Sequence, residues 1–391
     1  MMKPSFLEKL LDGIEVEWKL LGEVADYEQP TRYLVKSKKY SDNFDTPVLT
    51  AGKTFILGYT DETDGIYKAS KNPVIIFDDF TTANKWVDFD FKAKSSAMKM
   101  ITSKSESVAL LKYIYYWLNT LPNGLIEGDH KRQWISNYSY KLIPIPPLKV
   151  QEEIVRILDT FTELTAELTA ELTARKKQYT YYRDKLLSFE DGEVEWKTLG
   201  EVSNKSYSGG TPKANNPEYY GGDIPWLRTQ EVRFAEIYDT EMRITPAALK
   251  NSSAKWIPKN CVIVAISGAT AGRSAINKIP LTTNQHCCCL EIDPEQANYR
   301  YVFHWVSSQY EQLKYLGQGA RSDLNSGIIK SYHIPIPPLE KQERIVSSLD
   351  KFDTLTTSIS EGLPREIELR QKQYEYYRDL LLSFPNKEVD R

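Results

Sequence analysis

The longest regular pattern of apolar and polar positions runs from Leu148 to Phe189. Leucines recur every four residues at Leu164, Leu168 and Leu172, and this spacing keeps them on one stripe of a 3.6-residue helix. Ala, Leu and Glu favour helix, and no Gly or Pro interrupts the run. The pattern predicts a rod of about forty residues, roughly 60 Å long. A rod with one apolar stripe needs a partner helix.

The end of this helical stretch returns later in the chain. QYTYYRDKLLSF at 178–189 becomes QYEYYRDLLLSF at 373–384. Two further motifs also occur twice: EVEWKxLGEV at 15–24 and 193–202, and IPIPPL at 143–148 and 334–339. Each copy therefore consists of EVEWKxLGEV, more than a hundred unlike residues, IPIPPL and a long helix. Such a repeat indicates gene duplication with a pseudo-twofold or a tandem arrangement.

The two variable segments, residues 25–141 and 203–333, share almost no sequence but follow a similar plan. Short apolar runs with turn residues between them predict strands in TPVLTAG, KTFILGY, NPVIIFDD and KWVDFDF, and later in NCVIVAISG and TNQHCCCLEI. Helices are predicted at SVALLKYIYYWL and ANYRYVFHWVSSQYEQL. The fold class is therefore α+β: two β-rich globular domains with helices, and two long helices, in an internal repeat.

Proline and glycine refine this picture at two places. The prolines of IPIPPL predict a stiff extended joint that makes neither helix nor sheet hydrogen bonds and starts each long helix. Gly362 and Pro364 predict a break or kink in the second long helix, because proline in a helix interior costs about 3 kcal/mol.

Composition is that of an ordinary globular protein. Hydrophobic residues make up 41% and charged residues 26%, with a net charge of −3. No apolar run reaches the roughly eighteen residues needed to span a bilayer, and the beginning lacks a signal-peptide pattern, so we expect a cytoplasmic protein without membrane contact. A DNA-binding protein of this charge must segregate its basic residues or borrow positive surface from a partner.

Candidate catalytic and metal sites are weak. The E-x-K motif of metal-dependent nucleases occurs at Glu17–Lys19 and Glu195–Lys197, but the nearby Asp12 and Asp191 are too close to lie on a separate strand. The residues Cys287–Cys289 alternate between strand faces and cannot converge on one metal, so we expect a buried strand. No nucleophilic triad and no cofactor motif is evident. The sequence favours a non-catalytic chain without a metal.

Polar residues that suit DNA bases or phosphates lie in loop-like stretches of both variable segments. Arg and Lys suit guanine or phosphate, and Asn and Gln suit adenine. Any one of them is compatible with an ordinary solvated surface; together they predict two different base-reading surfaces. The candidates are Lys53, Asn84, Lys85, Lys131, Arg132 and Gln133 in the first segment, and Lys213, Arg228, Gln230, Arg273, Arg321 and Asn325 in the second.

The ordered combination of motifs resembles the specificity subunit of type I restriction–modification systems. The resemblance is carried by the repeated EVEWKxLGEV, by SGGTP followed by IPWLRT within 208–229, by GQGARSDLN before the second IPIPPL, by LxxQExIVxxLD at 148–159 and 339–350, and by QYxYYRDxLLSF. It covers essentially the whole chain. The first variable segment departs from the pattern because it has no SGGTP–IPW pair.

The resemblance implies two target recognition domains held apart by an antiparallel pair of helices, each domain reading one half of a split, asymmetric site in double-stranded DNA. It also implies two methyltransferase subunits that use S-adenosylmethionine to methylate adenine, and restriction subunits that use ATP and Mg. Those cofactors would belong to the partners. The expected boundaries are 1–147 and 191–338 for the domains, and 148–190 and 339–391 for the helices.

The repeated helices carry two further hypotheses. Each TAEL unit around Leu164, Leu168 and Leu172 adds about 6 Å, comparable with one or two base pairs, so it could set the spacing of the half-sites; alternatively, four residues merely preserve the apolar stripe. Residues common to both copies should serve a common purpose, either helix pairing or methyltransferase binding. They are Tyr181, Tyr182, Arg183, Tyr376, Tyr377 and Arg378.

Two other function classes remain open from the sequence. A non-DNA scaffold would present two protein-binding modules on a coiled coil, and the near-neutral net charge slightly favours it. A self-contained modification enzyme would need a complete cofactor motif. Loss of binding with rising salt distinguishes DNA recognition from the scaffold.

Overall fold

The computed structural model describes residues 11, 13, 15–52, 54–122, 132–190, 192–317, 324–357 and 361–384. The chain divides into two compact units. Unit 1 comprises Met1–Glu167 with Ile367–Arg391, and unit 2 comprises Leu168–Glu366. Each unit therefore contains one variable segment and parts of both long helical stretches. It also contains the repeated motifs EVEWKxLGEV and IPIPPL that bound the variable segment, which we call its frame.

The described residues of unit 1 form three sheets. The larger has the order β2-β8-β5-β6 and is antiparallel throughout. In the sheet β4-β3-β7, β3 is antiparallel to β4 and parallel to β7, and β1 pairs with β9. The strands are β1 (Glu17–Leu20), β2 (Ala25–Glu28), β3 (Thr46–Leu49), β4 (Ile56–Thr60), β5 (Val74–Asp78), β6 (Asn84–Val87), β7 (Lys92–Ala93), β8 (Met98–Ser103) and β9 (Leu142–Ile145).

Unit 2 repeats this topology. Its larger sheet has the order β11-β18-β15-β16-β13, which is the order of unit 1 with one added edge strand, and its smaller sheet is β14-β12-β17. Strand β12 is antiparallel to β14 and parallel to β17. The strands are β10 (Glu195–Thr198), β11 (Ser203–Ser208), β12 (Tyr220–Leu227), β13 (Glu236–Ile237), β14 (Arg243–Ile244), β15 (Val262–Ala265), β16 (Ser274–Asn277), β17 (Thr282–Thr283), β18 (Cys287–Ile292) and β19 (His333–Ile336).

In the described ranges the α-helices are α1 (Leu21–Val24), α2 (Leu111–Leu118), α3 (Gln133–Ser136), α4 (Leu148–Leu186), α5 (Pro246–Lys250), α6 (Tyr299–Ser308), α7 (Tyr310–Tyr315), α8 (Ser326–Ser331), α9 (Leu339–Thr357) and α10 (Leu363–Leu382). Helix α4 begins in unit 1 and ends in unit 2. The second helical stretch consists of α9 and α10. Gly362, at φ +85°, precedes α10, and Pro364 lies in the first turn, where its missing N–H breaks no hydrogen bond. Among the described residues, no helix is long and apolar enough to cross a membrane.

The IPIPPL motif is extended, as predicted, but the prediction that it makes no sheet pairing is wrong. Strand β9 pairs antiparallel with β1, placing Trp18 opposite Pro144, and β19 pairs in the same register with β10, placing Trp196 opposite Pro335. A two-stranded ladder alternates hydrogen-bonded and non-bonded positions, so proline at alternate residues is tolerated. Each frame is thus closed by its first and last motif.

Helices α2 and α6 fasten each variable segment to its frame by matching contacts. The Tyr113 hydroxyl donates to the Pro144 carbonyl at 2.7 Å, and the Tyr301 hydroxyl donates to Pro335 at 2.8 Å. The variable segments therefore share more than the sequence comparison suggested. LKYIYYWL and YRYVFHWV both place a basic residue, a tyrosine and a tryptophan at the same helical spacing.

The repeated glutamine of the LxxQExIV motif makes a second matching contact. Gln151, fully buried, donates to the Pro146 carbonyl at 2.8 Å and accepts from the Leu110 amide at 2.9 Å. Gln342 does the same with Pro337 and Asn298, at 2.8 Å each. Loss of these partners would leave a buried amide without hydrogen bonds and would lower the free energy of unfolding. Each long helix is therefore fixed to its frame at its first turn.

Both units also bury the end of a long helical stretch. In unit 1 the core that contains Ile154 and Leu158 includes Leu381, Leu382 and Phe384 from the end of α10. In unit 2 the core that contains Ile345 and Leu349 includes Leu187, just after α4. The apolar residues of QYxYYRDxLLSF are therefore core residues.

Candidate nucleic-acid interface

Several loops of unit 2 meet at one end of its two sheets. The last residues of β11 and β15 lie beside the first residues of β18, since Ser208 pairs with Cys288 and Ala265 with Cys287. The parallel pairing of β12 with β17 brings the residues after Leu227 to the same place. We call this the loop end of unit 2: residues 208–213, 228–231, 266–273, 284–286 and 324–325.

All the described candidates of the second segment lie in this loop end. They are Lys213, Arg228, Gln230, Arg273 and Asn325. The sequence placed them more than a hundred residues apart, and strand pairing brings them together. This convergence is what a base-reading surface requires, because readout needs several side chains within one groove.

Two of these candidates already have structural roles. Asn325 caps α8, because its amide oxygen accepts from the Ile328 amide at 2.9 Å. Arg228 donates to Glu241 at 2.8 Å, and Gln230, with its amide oxygen turned toward Arg228, accepts at 2.8 Å. The exposed Lys213 and the half-buried Arg273 are better placed to meet a ligand directly.

Unit 1 has an equivalent loop end: residues 50–52, 79–85, 94–97 and 132–134. Here Asp78 pairs with Met98, as Ala265 does with Cys287. The Lys94 amide donates to the Leu49 carbonyl at 2.8 Å, as the Asn284 amide does to Leu227 at 3.1 Å. Asn84, Lys85, Arg132 and Gln133 lie at this end, whereas Lys53, Lys131 and Arg321 lie outside the described residues.

The structure does not support two of the unit 1 candidates as base contacts. Gln133 is only 2% exposed, packed at the start of α3. Both amide atoms of Asn84 are buried without a hydrogen-bond partner among the described residues. Neither side chain exposes its amide group, so neither is available to a base in this structure. Lys85 is exposed, with its ammonium group 5.4 Å from the centre of the Phe55 ring.

Arg132 is positioned by a buried ion pair. Asp79 and Lys99 are both fully buried, with Asp79 Oδ2 and Lys99 Nζ 3.6 Å apart; the Arg132 guanidinium lies 3.6 Å from the same oxygen. Burial lowers the pKa of Lys99. Asp79 Oδ1 also accepts from the Trp134 amide at 2.9 Å. The carboxylate therefore fastens α3 to β5 and leaves Arg132 half-exposed at the loop end.

The SGGTP motif of unit 2 is explained by close backbone contacts. A Cβ at Gly209 would lie 1.8 Å from the Thr283 carbonyl oxygen, and a Cβ at Gly210 would lie 2.1 Å from Ser253 Oγ. The Trp226 indole of IPWLRT donates to the Gly210 carbonyl at 3.1 Å. The glycines therefore let the turn press against β17, and the tryptophan holds it there.

The repeated tyrosines divide into two kinds. Tyr182 stacks on Phe352 in unit 2, with ring centres 5.7 Å apart, and Tyr377 stacks on Phe161 in unit 1, at 5.3 Å. The preceding tyrosines, Tyr181 and Tyr376, are 62% and 64% exposed. The second tyrosine of each YYRD motif thus pairs helices, and the first faces solvent.

Both repeated arginines are held beside those tyrosines. Arg183 pairs with Asp184 and lies over the Tyr179 ring, and Arg378 does the same with Asp379 and Tyr374. In unit 2 a cavity of about 1000 Å³ opens beside this site. It is lined by Arg183, Trp196, Trp305, Gln309 and His333, among other residues.

The described residues contain no group of three side chains that could hold a metal. The carboxylates of the E-x-K motifs pair with their own lysines, at 3.3 Å for Glu17–Lys19 and 3.6 Å for Glu195–Lys197. The four cysteines are buried, and burial raises the pKa of Cys288 to about 11 and that of Cys261 to about 12. They are packing residues, as the strand pattern predicted.

Comparison with known proteins identifies the class. The family model of the type I restriction modification DNA specificity domain matches residues 14–175 and 192–369. The chain therefore belongs to this family, whose members are non-catalytic DNA-recognition subunits, and the two matches coincide with the two repeats. The resemblance stated from the sequence is confirmed.

Individual relatives agree along the full length. The chain is 58% identical over 403 residues to the specificity subunit of the type I restriction enzyme EcoR124I/EcoR124II of Escherichia coli, covering 100% of this chain and 99% of that one. The solved type I restriction–modification S subunit from M. genitalium matches with a TM-score of 0.62 at 15% identity, covering 96% and 98%. A chain from a structure of type I complex assembly and conformational transition matches with a TM-score of 0.56 at 17% identity, covering 97% and 99%. The two solved structures support the mixed helix-and-strand fold.

Proposed function

We propose that this chain selects the DNA sequence for a type I restriction–modification complex, and that each unit reads one half of a split, asymmetric site in double-stranded DNA. The observation that carries the proposal is the relation between the two units. Their strand order and frame contacts agree, whereas their loop ends carry different polar side chains. Two units with the same fold but different DNA-facing side chains are suited to a site whose two halves differ in sequence.

In this proposal residues 1–147 and 191–338 form the two target recognition domains, and residues 148–190 and 339–391 form an antiparallel helical connection that holds them apart. The spacing would be set along α4, where Leu168 is buried and Leu164 and Leu172 are half-buried. Apolar positions every four residues allow the helix to be lengthened by whole TAEL units without losing its stripe. The length of α4 would then determine the number of unread base pairs.

The repeated YYRD motif indicates how methyltransferase subunits would bind this chain. Two identical methyltransferase subunits would need two similar surfaces, and the exposed Tyr181 and Tyr376 lie in matching sequence. S-adenosylmethionine would be held by those subunits, and ATP and Mg by restriction subunits that join through the complex. This chain would need no cofactor of its own. A subunit that reads chromosomal DNA would work in the cytoplasm.

The test is genome-wide mapping of methylated adenine in cells that express this chain with its cognate methyltransferase, compared with the methyltransferase alone. We expect a split, asymmetric motif that appears only when this chain is present. If a verified complex adds no methylation, the proposal fails, and salt-insensitive binding to a protein would then favour a scaffold.

A variant in the repeated helix separates assembly from reading. Arg183→Ala removes one of the two matching arginines, Arg183 and Arg378. We expect weaker assembly with the methyltransferase, and no change in the bases selected by the complexes that still form. Co-purification measures assembly, and the methylation motif measures reading. Loss of discrimination at one half-site with normal assembly would contradict the assignment.

A further inference from the structure

A short loop, Asn284–His286, crosses between the two sheets of unit 2 at its loop end. The residues on either side, Thr283 and Cys287, are fully buried, whereas Gln285 and His286 are exposed. The loop backbone is fixed to both sheets: the Asn284 amide donates to Leu227 at 3.1 Å, and the Ile266 amide donates to the His286 carbonyl at 2.9 Å. Gln285 is therefore an exposed side chain on a rigid support.

The amide group of Gln285 is oriented at both of its ends. Its oxygen accepts from the Thr211 hydroxyl at 2.5 Å, and its nitrogen lies 3.1 Å from His286 Nε2. In this orientation the amide nitrogen donates, so His286 Nε2 accepts and the imidazole proton lies on Nδ1. Both ends of the amide group therefore have a partner within the protein before any ligand binds.

Thr211 is itself held by the SGGTP turn. The Gly210 amide donates to the Thr283 carbonyl at 2.9 Å, and the carbonyl of Pro212 accepts from the Tyr220 hydroxyl at 2.9 Å. The threonine lies between these two anchors. A side chain held in this way loses little conformational freedom on binding, which favours affinity and precise readout.

We propose that Gln285, held by Thr211 and His286, reads an adenine in the half-site recognised by unit 2; this inference rests on the proposed DNA-reading function. After its two internal hydrogen bonds, the amide retains one N–H and one oxygen lone pair. Adenine offers the complementary pair in the major groove, an acceptor at N7 and a donor at N6. A phosphate offers only acceptors, so it could pair with the free N–H but would leave the oxygen lone pair of Gln285 without a donor.

The equivalent loop of unit 1, residues 94–97, has different chemistry. It reads Lys-Ser-Ser-Ala, and Lys94 donates to the Tyr40 hydroxyl at 3.0 Å. An amide reader is present in one unit and replaced by hydroxyl groups in the other. This is the difference expected where two half-sites differ in sequence.

The experiment uses the full chain in complex with its cognate methyltransferase and measures methylation across a DNA library randomised at each position of the site. We expect Gln285→Ala to relax one A·T position of one half-site by about tenfold or more, with the other half-site unchanged. Thr211→Val should relax the same position by a few-fold. Gln371→Ala, which removes an exposed glutamine on α10, is the matched control and should change neither half-site.

Three outcomes would overturn the inference: relaxation at a G·C pair, uniform weakening at all positions, or an unchanged motif. If Gln285→Ala prevents assembly, Gln285→Glu applies the same test, because it preserves the shape and removes the donor. A wild-type complex that shows no split motif would instead refute the proposed function. The two failures are therefore distinguishable.

Discussion

The two units hold the same carboxylate of their long helices with different partners. In unit 2 Asp350 accepts two hydrogen bonds from Arg300, at 2.7 and 2.8 Å, and one from His304 at 2.8 Å. In unit 1 the equivalent Asp159 accepts from the Tyr116 hydroxyl and pairs with Lys112 at 3.2 Å. The aspartate belongs to the repeated helical motif and is the same in both units. In each unit the variable segment supplies it with one cationic side chain and one hydrogen bond from a ring side chain.

The cores of the two units also differ in the chemistry of one pair of buried residues. Strand pairing places Lys99 of unit 1 where unit 2 has Cys288, and the residue after β5, Asp79, corresponds to Ile266 after β15. A buried ion pair in one unit is thus replaced by an apolar pair in the other. Both solutions fit the same backbone, but an ion pair becomes costly when only one partner remains. The same topology therefore tolerates different cores, provided that each is internally paired.

The largest expected effect follows from breaking that ion pair. Asp79→Ala leaves the Lys99 charge buried and removes the acceptor of the Trp134 amide, so unit 1 should lose about 3 to 5 kcal/mol. The apolar counterpart Ile266→Ala should destabilise unit 2 by about 2 to 3 kcal/mol. Hydrogen exchange of β5 and β15 measures each unit separately. Equal losses of unfolding free energy in the two variants would contradict the expectation that the ion-paired core is the more sensitive one.

The next effect concerns the close backbone contact of Gly209 in the SGGTP turn of unit 2. Gly209→Ala would drive its Cβ into the Thr283 carbonyl, so unit 2 should be destabilised by about 3 kcal/mol or more and lose its half-site. Gly52→Ala in the loop end of unit 1 is the matched control, because its Cβ would meet only Thr50 Oγ1 at an ordinary 3.8 Å. The methylation motif should lose one half and keep the other. Retention of both halves in Gly209→Ala would disprove the role assigned to this turn.

A smaller effect tests the two carboxylates. Asp350→Asn should cost about 2 kcal/mol and Asp159→Asn about 1 kcal/mol, because the former has more charged partners and both are partly exposed. Although burial raises the pKa of Asp350, hydrogen bonds from His304 and Arg300 lower it below its usual value of 3.8 overall. Its contribution is therefore complete above that value and is lost as the pH falls through the lower folded-state pKa.

Denaturant unfolding of the wild type and Asp350→Asn from pH 6 downward measures this contribution. The difference in unfolding free energy between the two proteins should shrink below about pH 4. A difference that is independent of pH would mean that the ionised carboxylate is not what stabilises this contact.

The smallest expected effect comes from a change in α4, the helix that begins in unit 1 and ends in unit 2. Deletion of one TAEL unit, Thr165–Leu168, removes about 6 Å of helix and should shorten the unread spacer by about one base pair, with both half-sites unchanged. Mapping of methylated adenine measures the spacer. Retention of the original spacing would leave the four-residue repeat as a device that only preserves the apolar stripe.

The local pattern of apolar and polar residues was sufficient to predict many of the strands and helices. Strands β3, β5, β15 and β18 and helices α2 and α4 lie within the stretches predicted for them, because periodicity and propensity act over neighbouring residues. The repeated motifs also identified the family. Long-range pairing was not accessible in this way, so the common strand order of two dissimilar segments was missed. The shared Tyr and Trp spacing of α2 and α6 was the available signal.

For the candidate interface, the sequence determined which side chains are capable of reading bases, and the tertiary structure decided which of them can do so. Lys213 is exposed, Gln133 is buried and Asn325 caps a helix, although all three occur in similar polar stretches. Gln285 acquires its orientation from Thr211, 74 residues earlier in the chain. A polar residue has the same chemistry wherever it occurs, but its burial and its partners are set by contacts between distant segments.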